Sequence, residues 1–265
     1  MIANILTIAG SDPSGGAGIQ ADLKAFAARG TYGMAVLTAL TAQNTQGVTG
    51  VHLIPADFVA SQISAVFDDV RVDAVKIGMI ATAEIAEAVA DALAAHPDVP
   101  VVLDPVMVAK GGASLLAPEA VEALNRRLLP LATLITPNLP EAAALLGENE
   151  ASDRGAMAAQ AKQLMALGPR VVLVKGGHLN SSESPDVLAD NESLVWLEGC
   201  RSTTRNTHGT GCTLSSAIAA ELGKGADPLT AVQSAKNFIA TAIERSGELS
   251  VGSGHGPVHH FHQWW

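Results

Sequence analysis

Short, mostly apolar runs alternate with longer alanine-rich stretches of helical spacing from one end of this chain to the other, and that alternation leaves few folds open. The runs are Ile2–Ala9, Met34–Leu40, Ala74–Ile77, Val101–Leu103, Leu134–Ile135 and Val171–Val174. Between them lie Gln20–Ala28, Phe58–Phe67, Ala83–Ala94, Pro118–Leu128 and Ala156–Leu167. Within Phe58–Phe67 the residues Val59, Ile63, Val66 and Phe67 recur at the spacing of one buried helical stripe. Strands that are apolar on both faces need helices on both faces, so the expected architecture is an α/β three-layer sandwich around a mostly parallel sheet. Val187–Leu188 and Leu194–Leu197, separated by Asp190-Asn191, predict an antiparallel hairpin at one edge. Two helices, Thr210–Leu222 and Pro228–Glu244, follow.

No low-complexity linker and no internal repeat divides the chain, and 265 residues at 48% hydrophobic suit a single domain spanning 1–265. A formal net charge of −10 excludes a general nucleic-acid-binding role, which needs a basic face. No apolar run reaches the roughly 18 residues of a membrane span. Two cysteines, Cys200 and Cys212, fit a reducing compartment, and Met1–Ile8 reads as a buried first strand rather than a signal peptide. A cytoplasmic protein is expected.

In open parallel sheets ligands sit beyond the carboxyl ends of the strands. The first strand is followed by Gly10-Ser11-Asp12-Pro13-Ser14-Gly15-Gly16-Ala17-Gly18, in which Gly16-x-Gly18-x-x-Ala21 matches a dinucleotide-binding fingerprint. That reading requires an acidic residue about 20 positions later, and no Asp or Glu stands between Asp22 and Asp57. A plain glycine turn packing the first strand on its helix is an equal reading for Gly15 and Gly16. The sole Gly-Lys pair, Gly223-Lys224, has Ile218 where a P-loop needs its first glycine, so no Walker motif is present.

Asn206-Thr207-His208-Gly209-Thr210-Gly211-Cys212 is the strongest segment. It precedes a helix striped by Leu214, Ile218 and Leu222, so its glycines open a helix N-terminus, where free N–H groups and the dipole favour an anion. Cys212 falls in that first turn, where a lowered thiol pKa is expected; the competing reading is a small buried hydrophobe. His208 and Cys200 take structural readings. Further strand ends carry Asp104, Asn138, Glu141 and Lys175, and the Val108–Gly112 loop is expected to be lid-like. Singly, Asp104 or Glu141 is as readily a helix cap as a ligand. Together they put carboxylates, an amide and a lysine on one rim, which suits a magnesium-bound nucleoside triphosphate. The histidine-rich tail Gly254–His262 fits no closed zinc site, so an ordered or frayed tail is expected.

Five segments in order, AGSDPSGGAGIQADLK (Ala9–Lys24), TALTAQNTQGV (Thr38–Val48), DPVMVAKGG (Asp104–Gly112), TPNLPEA (Thr136–Ala142) and NTHGTGCTLSSAIA (Asn206–Ala219), resemble the bacterial hydroxymethylpyrimidine/phosphomethylpyrimidine kinases of thiamine biosynthesis. The resemblance covers essentially the whole chain. It implies a ribokinase-like fold, a homodimer, ATP and Mg²⁺, and two successive phosphorylations of a small-molecule pyrimidine, first at the hydroxymethyl group and then at the resulting monophosphate. It implies an anion hole at Gly209, Gly211 and Cys212, with Cys212 where many related kinases carry an aspartate. Asp104, Asn138, Glu141 and Lys175 would organise triphosphate and metal, with Asp104 and Glu141 toward the metal and Lys236 near the nucleotide. Gly10, Asp22, Gln43, Met79 and Val106 would line the pyrimidine pocket. Gln43 can donate and accept at an aminopyrimidine edge and Met79 can pack on its face. Pyridoxal or pyridoxine kinase activity is the competing reading. A non-catalytic binding protein on the same fold would be expected to have lost Asp104, Glu141, Lys175 or the Gly209–Cys212 turn.

Overall fold

The computed structural model describes residues 1–107, 118–180 and 183–265. Nine strands, β1 (Asn4–Ser11), β2 (Tyr32–Asn44), β3 (Gly47–Leu53), β4 (Ala74–Ile77), β5 (Val101–Leu103), β6 (Leu134–Ile135), β7 (Val171–Val174), β8 (Asp186–Ala189) and β9 (Leu194–Leu197), form one sheet in the order β3-β2-β1-β4-β5-β6-β7-β8-β9. The six from β2 to β7 are parallel, while β3, β8 and β9 add antiparallel edges. The helices are α1 (Gly18–Ala28), α2 (Ala56–Phe67), α3 (Ala83–Ala94), α4 (Pro118–Ala123), α5 (Leu139–Leu146), α6 (Arg154–Met165), α7 (Thr210–Gly223) and α8 (Pro228–Glu244).

Side-chain alternation along the strands builds two cores, one per face. Leu6, Ile8, Val75, Ile77, Leu103 and Ile135 turn toward the layer holding α2 to α6, with Val59 and Ile63 from the predicted α2 stripe. Ile5, Ala74, Val102, Leu134 and Leu173 turn the other way, against Phe26 of α1 and the buried faces of α7 and α8. The three-layer α/β sandwich read from the sequence is the fold observed.

Three elements differ from the expectations. β2 runs on to Asn44 and pairs with β3, which its two glycines and mostly exposed side chains conceal as a strand. Eight residues carrying Pro140 form α5, made possible by a capping box in which Asn138 and Glu141 each satisfy the other's backbone N–H. The helix expected over Pro118–Leu128 is α-helical to Ala123 and then widens into a π-helical turn over Leu124–Leu128. The tail is ordered: Val258, His259 and His260 are buried. No helix among the described residues is long and apolar enough to cross a membrane.

The chain leaves β1 first toward β2 and later toward β4, so the connections diverge above β1 and β4. That is a topological switch point, where α/β sheets bind ligands.

Candidate active site

A cavity of about 820 Å³ opens there, and the ends of β1, β2, β4 and β5 meet the first turn of α7 on its walls. Most of the residues singled out from the sequence line it: Gly10, Gln43, Met79, Val106, Asp104, Asn138, Glu141, Lys175, Gly209, Gly211, Cys212 and Lys236. Lys110 and the rest of the expected lid lie outside the described residues.

The glycine loop after β1 is closed by its own aspartate. The Asp12 carboxylate accepts from Ser14 N (2.9 Å) and Oγ (2.7 Å), from Gly16 N (3.2 Å) and Ala17 N (2.8 Å), and from His208 Nε2 (2.7 Å). Burial works against the charge, but these bonds, His208's foremost, hold the carboxyl down at about 2. N–H groups that a dinucleotide phosphate would need are therefore already spent, a second reason to set the fingerprint aside. Gly18 opens α1 with φ of 56°, and a Cβ there would lie 2.3 Å from the Gly10 carbonyl.

Above this loop, Gly209 caps α7 in the left-handed region (φ 75°), where a Cβ would lie 1.8 Å from the Gly16 carbonyl. No side chain caps the helix, so the N–H groups of its first turn face the cavity without intrahelical acceptors. Gly211 faces a charged cluster, with Asp104 Oδ2 and Lys175 Nζ each 3.4 Å from where its Cβ would be. In that cluster Lys175 Nζ stands 3.0 Å from Asp104 Oδ1 and 3.9 Å from Glu141 Oε2, while Thr136 Oγ1 donates to Asp104 Oδ1 at 3.0 Å. Burial would raise Asp104, yet Lys175 and Lys76 outweigh it and hold it ionised. Glu141 goes the other way: burial and the Asp104 charge push it up to about 7 against the pull of Lys175. Glu141 thus completes the α5 capping box and also stands beside Lys175 in the charged cluster.

Cys212 corrects one expectation. Its thiol is not lowered but raised, to about 11, because burial and the charges of Asp22 and Asp104 outweigh Lys76 and a Gly18 N–H that reaches the sulfur. Its residue is only half buried by area, but the area it keeps opens onto the cavity rather than bulk water.

Asp22 is the other correction, since it does not line the cavity. It lies beneath the floor, fully enclosed, with its oxygens taken by Lys76 Nζ (2.9 and 3.0 Å), Thr7 Oγ1 (2.6 Å) and Ser216 Oγ (2.7 Å). Lys76, its partner, does reach the cavity wall. Burial opposes the Lys76 charge, but Asp22 prevails and raises its pKa well above the ordinary value. Lys76 escaped the sequence reading although its signal was plain: one charge inside a four-residue strand otherwise buried and apolar.

His208 and Cys200, read as structural, both line the cavity. His208 stands beside Gln43, whose amide also meets Thr41, whereas Cys200 follows Gly199, which packs on Lys236. Lys236 Nζ reaches Asp186 Oδ2 at 2.5 Å and the Ser184 carbonyl at 3.4 Å, on the wall beyond Lys175.

A family model described as phosphomethylpyrimidine kinase matches residues 12–259. The hydroxymethylpyrimidine/phosphomethylpyrimidine kinase of Escherichia coli (strain K12) is 54% identical over 99% of this chain and 98% of its own length. Among solved structures, the ADP complex of Bacillus subtilis pyridoxal kinase superposes with a TM-score of 0.91 at 42% identity, covering 98% of each chain. The phosphomethylpyrimidine kinase of Clostridium difficile 630 gives 0.81 at 44% identity, covering 91% of this chain and 99% of the other. With its glycine-opened helix, its shared lysine and its two flanking carboxylates in one cavity, the chain belongs to the phosphomethylpyrimidine kinase family.

Proposed function

We propose that this chain transfers the γ-phosphoryl group of ATP to the hydroxymethyl group of 4-amino-5-hydroxymethyl-2-methylpyrimidine, and then a second one to the monophosphate so formed. The observation that carries the reading is the meeting of the Gly211 cradle with Asp104, Lys175 and Glu141, opposite an amide and a thioether, Gln43 and Met79, in the same cavity. One end suits a triphosphate and the other a flat heterocycle with a donor and an acceptor on its edge.

The residue set also fits magnesium. Hard carboxylate oxygens from Asp104 and Glu141 bracket Lys175, and Mg²⁺ is commonly held by one or two carboxylates plus substrate phosphates. When bound, the ion neutralises charge on the phosphate oxygens.

The chain's own groups do the rest. Backbone N–H groups of the α7 first turn, with Lys175, receive the charge of the transferring phosphoryl group. Lys236 extends the cationic wall toward the nucleotide. Gln43 holds the pyrimidine edge, Met79 and Val106 pack its faces, and Gly10 leaves room where a Cβ would collide with the Met79 methyl at 2.3 Å. Cys212 meets the acceptor oxygen as a neutral thiol. In a loose transition state the attacking alcohol keeps its proton late, so positioning matters more than a strong base. Asp22 positions Lys76 from below and touches no substrate.

The reading includes a cytoplasmic homodimer, supported by exposed apolar side chains on β2, β3 and α2, namely Tyr32, Leu40, Val51, Leu53 and Phe58. ATP turnover on the hydroxymethylpyrimidine, its monophosphate and pyridoxal, measured side by side, tests the function. Turnover of both pyrimidines is expected; turnover of pyridoxal alone would replace this reading with that of a vitamin B6 kinase.

A further inference from the structure

We infer that His208, braced by Asp12, locks the Gln43 side-chain amide in one of its two orientations and thereby makes the site select a 4-amino-pyrimidine over its 4-oxo analogue. This rests on the pyrimidine-kinase reading above and adds a specificity-determining residue to it.

The argument follows the hydrogens. Asp12 accepts from four other N–H and O–H groups of its own turn, so it is an acceptor toward His208, and the hydrogen between them sits on His208 Nε2. At the other end, Thr41 Oγ1 donates its single hydrogen to the Ser11 carbonyl at 2.8 Å. The Gln43 amide lies between the two, 3.2 Å from Thr41 Oγ1 and 3.4 Å from His208 Nε2. An amide's shape does not distinguish its oxygen from its nitrogen, but its neighbours do. With nitrogen toward His208, two donors would face each other, and at Thr41 two acceptors would compete for one spent hydrogen. Turned the other way, the amide nitrogen donates to Thr41 Oγ1, and the amide oxygen faces the His208 Nε2–H, whose one hydrogen goes chiefly to Asp12 at 2.7 Å and is shared with that oxygen at 3.4 Å.

His208 is held for this task. Gly16 lies directly against its ring, since a Cβ there would be 2.3 Å from His208 Cδ2, and its backbone N–H is bonded to the Gly256 carbonyl at 3.0 Å. The ring is buried and cannot turn aside.

With both ends fixed, Gln43 offers the cavity one remaining N–H and one remaining carbonyl lone pair in a set order. An aminopyrimidine edge presents an exocyclic donor beside a ring acceptor; a 4-oxo-pyrimidine presents an exocyclic acceptor beside a ring N–H. A freely flipping glutamine serves both edges, whereas a locked one serves the first and opposes the second. His208 is a positioning residue in this account, acting through Gln43.

The test compares kcat/KM for the hydroxymethyl aminopyrimidine and its 4-oxo analogue in the wild type, His208→Phe and Thr41→Val. The wild type is expected to prefer the amino compound by at least about a hundredfold, as sites built to pair a polar edge do. Either variant frees the amide at one end and should narrow that ratio at least about tenfold, chiefly through the pyrimidine KM, with the KM for ATP unchanged. A folded variant that keeps the wild-type ratio overturns the inference; if His208→Phe does not fold, Thr41→Val decides alone. A wild type that phosphorylates both pyrimidines equally well refutes the inference and leaves the proposed function standing. A wild type that phosphorylates neither refutes both.

Discussion

Gly211→Ala separates the fold from the chemistry because it should move the two in opposite directions. A methyl at this position would lie 3.4 Å from Asp104 Oδ2 and from Lys175 Nζ, which is ordinary contact, so the ligand-free protein accepts it without rearrangement. Gly211 lies within α7 and has no left-handed backbone to preserve. Replacing a helical glycine with alanine removes backbone entropy from the unfolded chain and gains about 0.5–1 kcal/mol. The same methyl occupies the ground between the α7 N–H groups and the charged cluster, where a phosphoryl oxygen must approach to about 3 Å. Losing one such donor costs roughly a hundredfold to a thousandfold in turnover. The expected outcome is a melting temperature equal to or slightly above that of the wild type, with kcat/KM for ATP down at least about a hundredfold. Thermal unfolding and steady-state kinetics on one preparation check it. A variant at least as stable as the wild type and within tenfold of its activity would show that the phosphoryl group passes elsewhere. Gly209 cannot serve this purpose. Its φ of 75° and the Gly16 carbonyl 1.8 Å from any added Cβ would cost stability first and activity as a consequence.

Lys76→Met leaves the enclosed Asp22 without its counter-charge and should lower unfolding free energy by about 3–5 kcal/mol in urea titrations; a loss below about 1 kcal/mol would mean the pair contributes little. His260 is held neutral, with its pKa lowered to about 3 by burial, and its Nε2 lies 2.9 Å from Thr213 Oγ1, whose own hydrogen goes to the Gly209 carbonyl. Below pH 6.5 the unfolded chain takes up a proton that the folded one refuses, so this contribution is complete above that pH and is lost on acidification. About 1 kcal/mol should go between pH 6.5 and 5.5, and His260→Gln, which can still donate to Thr213, should flatten that slope; an unchanged slope would refute the assignment. Cys212→Asp should retain the first phosphorylation within about tenfold while slowing the second by tenfold to about a thousandfold, measured as single-turnover rates on each substrate.

The sheet was legible wherever burial on both faces left no alternative. Val101–Leu103, Leu134–Ile135 and Val171–Val174 are strands end to end because a short run without polar positions can satisfy its backbone only inside a covered sheet, and Ala74–Ile77 follows them with Lys76 as its one exception. β3 was illegible for the converse reason: as an exposed edge its side chains answer to solvent, and Gly47 and Gly50 mask its propensity. In the site, residues belonging to glycine-rich strand ends could be found from their position. Lys76 and His208 could not be placed by motif, because what holds each at the cavity wall is a partner 54 or 196 residues away in sequence. Asp22 was misplaced by the same blindness. Its helix position points it toward β1 and β4, but only the packing reveals that Thr7, Lys76 and Ser216 consume it before it can reach a ligand.

The raised thiol of Cys212 changes what that residue can be asked to do. A lowered pKa would have made it a base for the alcohol substrate and an anion facing the phosphate substrate, two demands that conflict in one site. At about 11 it is neutral against either acceptor. Its neighbours explain why a carboxylate would fare worse, since Asp22 and Asp104 already bear on the sulfur and, with burial, outweigh Lys76 and the Gly18 N–H. The monophosphate carries nearly two negative charges at neutral pH, its second pKa being about 6. At about 4 Å and an effective dielectric near 20, each unit-charge repulsion costs about 4 kcal/mol. An introduced aspartate would escape that cost by taking a proton, which for an ordinary carboxyl at pH 7 costs about 4 kcal/mol at most. The smaller of the two costs sets the penalty, hence the thousandfold ceiling on the second step and the small effect on an uncharged alcohol. Equal rates for wild type and Cys212→Asp on the monophosphate would mean the sulfur stands clear of the acceptor's phosphate, and neutrality could not then be the reason for a cysteine at this position.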